Sequence, residues 1–142
     1  MKQMLCILSV ICLLVLPLTV NAASFDGSQP LLCALMKAMT CTQTDGCAEF
    51  SAEDLNVQQF VTIDFAKKEM IGVSDTEKRT AIERMEEVDG KLILQGAEEA
   101  IEGVRDGVGW TMAIMEDTGK AILTASGDNV GFVLFGACTP KK

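Results

Sequence analysis

The sequence predicts a mainly β fold: a small antiparallel meander closing into a barrel, with a β-sandwich as the alternative, and one short N-terminal helix packed against it. Three observations carry this expectation. From Gly109 to Cys138, three apolar runs of strand length are cut apart by Asp117-Thr118-Gly119 and by Ser126-Gly127-Asp128-Asn129. Glycine and asparagine supply the positive φ that tight hairpins need, while Asp and Ser bond back to their own backbone. Upstream, Asp89-Gly90 is a further hairpin signal leading into Lys91-Leu92-Ile93-Leu94-Gln95. The whole pattern amounts to about seven or eight short strands at close spacing, and closing such a sheet removes its exposed edges.

The elements follow in order. Residues 1–22 read as a cleaved signal peptide: Lys2 supplies the basic start, Leu5 to Val20 the apolar run, and Val20-Asn21-Ala22 the small residues of a cleavage site. Pro17 breaks that run before it reaches the ~20 apolar residues of a transmembrane span. The remaining chain, 23–142, fits a single β-rich domain without a membrane span, periplasmic or secreted.

Ser28-Gln29-Pro30 has the form of a helix start, a hydroxyl cap ahead of a first-turn proline. Leu32, Leu35, Met36 and Met39 then recur at helical spacing, predicting a short helix to about residue 40. Ser51-Ala52-Glu53-Asp54 resembles a capping box that opens a further helical turn. From Phe60 to Phe65 apolar and polar residues alternate, Ala66 to Glu69 turns the chain, and Met70 to Val73 returns as a strand. Residues 74–80 read as a charged loop, Ile82 to Val88 as a polar strand, and the glycine-rich stretch between Gly96 and Gly109 as a loop or helical turn. In the C-terminal hairpins, Trp110, Met112 and Ile114 share one strand face, and Ala121, Leu123 and Ala125 share another. The last strand, Val130 to Ala137, is apolar on both faces and is expected to be covered on both sides.

Six cysteines become four when Cys6 and Cys12 leave with the leader. An even count in an exported chain reads as disulfides, and four cysteines allow three pairings. Cys41–Cys47 closes a short loop, and Cys33–Cys138 ties the first element to the last strand; these are the pairings expected. Zinc does not fit the cysteine spacing, and the chain has no histidine. Copper(I) at Met36, Met39 and the nearby cysteines is the sharper reading of that segment, and a methionine-filled packing face is the plainer one.

With 12 basic and 20 acidic residues the net charge is −8, and loss of Lys2 takes it to −9, a field that disfavours nucleic acid and anionic membranes. Absence of histidine removes every Ser-His or Cys-His nucleophile and every imidazole ligand. The remaining route to catalysis is carboxylate chemistry, for which Glu98, Glu99, Glu102 and Asp106 form the densest group.

FDGSQPLLCA near the start of the domain and GDNVGFVLFGAC at its end, together with DGKLILQG and the Gly109-Trp110 pair, resemble a group of small, uncharacterised exported bacterial proteins. The resemblance implies export and carries no activity, cofactor or ligand.

These readings converge on a non-enzymatic exported domain of the bacterial envelope, structural or interacting, or binding a small apolar ligand. A carboxylate-based hydrolase or lyase is the alternative. Candidate ligand-binding residues are Leu35, Met36, Met39, Trp110 and Met112, where the helix face would meet the strand ends. An interior cavity lined by Trp110, Met112 and Leu123 would favour the binding module; tight packing of these side chains would favour a structural role.

Overall fold

The computed structural model describes residues 25–51, 53–55, 57–73, 78–98 and 107–141, and among these there is no helix. Ten strands form one antiparallel sheet: β1 (Leu31–Thr42), β2 (Gly46–Ser51), β3 (Phe60–Asp64), β4 (Glu69–Gly72), β5 (Arg79–Ala81), β6 (Arg84–Glu87), β7 (Lys91–Glu98), β8 (Val108–Met115), β9 (Lys120–Ser126) and β10 (Val130–Pro140). Their order is β5-β4-β3-β1-β10-β9-β8-β7-β6, with β2 paired to the distal half of β1. The sheet curls into an open half-barrel rather than splitting into the two layers of a sandwich. Its two margins are consecutive in the chain, and the residues between them bond both ways. Ile82 N–H donates to the Lys68 carbonyl at 2.8 Å and Glu83 N–H to the Gln95 carbonyl at 2.9 Å.

The expected N-terminal helix is a strand, β1, lying between β10 on one side and β3 and then β2 on the other. Leu31, Cys33 and Leu35 point inward and are buried at period two, and then Ala38 is buried three residues later. The cause is a bulge: Leu35 pairs with Gly136 and Lys37 with Phe135, so Met36 has no partner. One extra residue in a period-two pattern yields mixed spacings of two and three, which imitate a helix. Pairing on both edges supplies the backbone hydrogen bonds that a helix would have made internally, and tertiary context prevails over local spacing.

Other departures are smaller. Ser51 and Asp54 do bond reciprocally, but they close a turn and not a helix. Arg79 and Thr80, expected in a loop, belong to β5. Strands β7 and β8 run on to Glu98 and back to Val108, shortening the expected loop from both sides; 99–106 lie outside the described residues. Strand β10 is covered on one side only, since Leu134 is buried while Phe135 is 40% exposed on the outer face.

The hairpins form as their sequences dictate. Asp89 and Gly90 have φ of 50° and 71°, the two positive values of a type I′ turn, and Val88 and Lys91 exchange both backbone bonds across it. Both expected disulfides are present, each joining directly opposed residues of neighbouring strands: Cys33 with Cys138 and Cys41 with Cys47. Two bridges fit an oxidising compartment. No described helix is long and apolar enough to cross a membrane.

The concave side holds the core, with Leu31, Leu35, Ile63, Leu94, Met112, Ile114 and Leu134 almost wholly inaccessible. Phe25, 7% exposed, lies against Gly119 at the end where the β8–β9 hairpin turns. At the opposite end the packing is incomplete.

Candidate functional site

The incomplete packing is built by one cross-strand row. Phe132 pairs with Ala125, Ala125 with Trp110, and Trp110 with Gly96. In the adjacent row Leu134, Leu123, Met112 and Leu94 are all large and fill their layer. Placing alanine between two aromatic side chains therefore removes volume from the interior at that level. The result is an apolar cavity of about 220 Å³ bounded by Leu35, Val61, Trp110, Leu123, Phe132 and Leu134.

Trp110 is fixed from two directions. A Cβ built at Gly96 would sit 2.5 Å from indole Cζ2 and overlap the Ala81 carbonyl oxygen, so only glycine leaves room for the ring. Indole Nε1 donates to Thr80 Oγ1 at 3.2 Å, and Thr80 Oγ1 donates onward to the Ala97 carbonyl at 3.4 Å. Thr80 is itself 8% exposed, so this pair satisfies polar groups that would otherwise be buried alone.

Leu55 and Val57, from the stretch after β2, border the cavity on another side. The Ser51–Asp54 turn positions them. Ser51 donates to the Asp54 carboxylate through Oγ at 2.6 Å and through its N–H at 3.0 Å, while Asp54 N–H returns a bond to Ser51 Oγ. The Ser51 hydroxyl first, and its N–H second, hold the Asp54 pKa below the usual carboxylate range. At the mouth stand Lys78 and Glu98, an ion pair at 4.0 Å whose side chains are 75% and 46% exposed. An exposed pair of this kind contributes at most about 1 kcal/mol.

Of the five candidates from sequence, Leu35 and Trp110 meet at the cavity wall, with Leu123 beside them. Met112 lies one layer deeper, fully buried in packed core. Met36 and Met39 are on the convex face, 64% and 37% exposed, away from the other three. Reading the segment as a helix placed all four of its apolar residues on one side; a strand with a bulge sends Leu35 inward and the methionines outward. Val61, Met70, Lys78 and Thr80 also line the cavity; no local sequence signal marks them, because only the curl of the sheet brings β5 against β7 and β8. The small side chain of Ala125, facing Trp110 across β8 and β9, is the residue that opens the space.

Glu98, one of the four carboxylates considered for catalysis, reaches the mouth; Glu99, Glu102 and Asp106 lie outside the described residues. Among the described residues no group of three or more cysteine or acidic side chains could hold a metal ion. Glu116 stands at the end opposite the cavity with a buried Oε1 that has no hydrogen-bond partner. Desolvation raises its pKa, with smaller contributions from the Glu87 and Asp26 charges. Comparison with protein-family models, curated proteins and solved structures found no match.

Proposed function

We propose that this domain is a non-enzymatic, exported binding module of the bacterial envelope that holds a small, largely apolar ligand beside Trp110. The cavity carries the reading. Protein interiors leave few voids larger than a water molecule, and an apolar cavity of 150 Å³ is known to stay dry and accept benzene. A space of about 220 Å³, lined largely by apolar side chains and open to solvent at the Lys78–Glu98 mouth, is large enough to admit a small ligand. An open half-barrel whose two margins, β5 and β6, are linked through Ile82 and Glu83 is the geometry this function would use. Export is supported by the leader-like start, the two disulfides and the resemblance to exported bacterial proteins.

The test uses the one tryptophan of a chain that has no tyrosine, so its emission reports Trp110 alone. Native mass spectrometry of protein recovered from its own host is expected to show a small-molecule adduct, and toluene is expected to shift the Trp110 emission of stripped protein. A bare mass together with unmoved emission would leave a self-contained structural domain instead. Hydrolytic turnover abolished by Glu98→Gln would replace the binding module with an enzyme.

A further inference from the structure

Resting on that binding-module reading, we infer that the ligand is a single short alkyl or acyl chain ending in a small uncharged polar group. Volume sets the length. If benzene, with six carbons, occupies a 150 Å³ cavity, a cavity of about 220 Å³ takes in proportion about nine carbon atoms. Ordinary ligand pockets measure about 300–1,000 Å³, so a two-chain lipid, a sterol or a haem is too large for this one.

The wall sets the chemistry of the buried part. The two polar groups that hold Trp110 in place are already spent: the indole N–H on Thr80, and the Thr80 hydroxyl on the Ala97 carbonyl. Around them stand Leu35, Val61, Leu123 and Leu134, which offer no hydrogen bond; the Gln58 amide is the one further uncharged polar side chain that the wall carries among the described residues. Away from the Gln58 amide, a hydroxyl or amide carried to that depth would give up water without replacement, which disfavours a ligand with several polar atoms along its length. Walls in which aliphatic side chains outnumber the two aromatic rings, Trp110 and Phe132, suit a chain better than they suit a rigid ring with polar substituents.

The mouth sets the head. Lys78 and Glu98 face each other there with opposite charges, and both remain largely in solvent. A charged head would meet one favourable and one unfavourable partner, so the pair selects neither sign. The net charge of −8 adds a general repulsion for anions. A hydroxyl, amide or ester end can sit between the two side chains and leave their pairing intact.

Titration of the mature protein with straight-chain primary alcohols from hexanol to hexadecanol, followed by Trp110 emission and calorimetry, tests this. Each added methylene is expected to tighten binding about fourfold. That gain is expected to stop near nine carbons, where the cavity is full. Decanol is expected to bind more tightly than decanoate or decylamine. Ala125→Leu, which adds volume between Phe132 and Trp110, is expected to shorten the stopping length by about three carbons, the number of side-chain carbons introduced. A gain that continues to hexadecanol would overturn the length limit, and a tenfold preference for decanoate or decylamine would overturn the uncharged head. A folded Ala125→Leu protein with an unchanged stopping length would move the ligand out of this cavity; if that variant does not fold, the wild-type series decides alone. Binding of toluene without any alcohol would defeat this inference only, whereas silence toward every probe would defeat the binding-module reading itself.

Discussion

The two disulfides leave the same strand from opposite faces. Cys33, with no exposed surface, joins Cys138 inside the half-barrel, whereas Cys41 joins Cys47 on the convex side. Their local geometry is nearly the same, with Cα atoms 3.9 and 4.0 Å apart across directly opposed positions. What differs is the separation along the chain, 105 positions against 6, and the surroundings, packed core against solvent. One face of β1 therefore carries stability for the whole domain, and the other only pins a hairpin. The bulge at Met36 lies between the two cysteines, at the point where the partner of β1 changes from β3 to β2.

Substitutions can break that contrast, beginning with the largest effect. Replacing Cys33 and Cys138 together by alanine releases the long loop, and loop-closure entropy predicts a loss of about 5 kcal/mol, most of the stability of a small domain. Urea unfolding at fixed pH measures it; a midpoint close to wild type would mean that the sheet alone fixes the two strands. Trp110→Ala on the same inner side is expected to lose about 3 kcal/mol, the lower end for an aromatic truncation, because the adjoining cavity lets neighbours relax. A thermal melt would register this, and an unchanged Tm would place the indole outside the core. Removing Cys41 and Cys47 is expected to lose about 2 kcal/mol, in keeping with the short loop. Stepwise dithiothreitol reduction with peptide mapping should open this exposed bridge before the buried one.

The smallest effect concerns charge. The Glu116 pKa is raised in the folded protein, so the folded state binds the extra proton between the ordinary glutamate value and that raised value. Its favourable contribution is complete below the unfolded value and is lost as pH rises through the folded one. Glu116→Gln is therefore expected to raise the midpoint slightly at neutral pH and to leave it unchanged in acid. The opposite sign holds for Asp64, whose pKa is lowered first by the Lys67 N–H: its contribution is present above the ordinary aspartate value and lost as pH falls through its folded value. Stability curves of wild type and Glu116→Gln that stay parallel from pH 4 to 7 would show the Glu116 carboxylate to be solvated.

Much of this molecule follows from local rules. Positive φ at Asp89 and Gly90 needs only the residues of the turn, and the inward set Trp110, Met112 and Ile114 needs only the pleat of one strand. Those features, with the β class and the hairpin positions, were determined by sequence, because each depends on a few neighbouring residues; the favoured cysteine pairing is realised through the registers of β1 with β10 and β2. Three matters were decided by tertiary structure. Strand β1 became a strand because β10, β3 and β2 take up its backbone hydrogen bonds, and its bulge hid the alternation that would have revealed it. Phe135 stayed exposed because the sheet curls toward its other face, a choice two apolar faces could not make by themselves. The cavity arose because Ala125 and Gly96 flank Trp110 only after β7, β8 and β9 come into register. A missing volume belongs to no single stretch of chain; it exists only where side chains from several strands fail to meet.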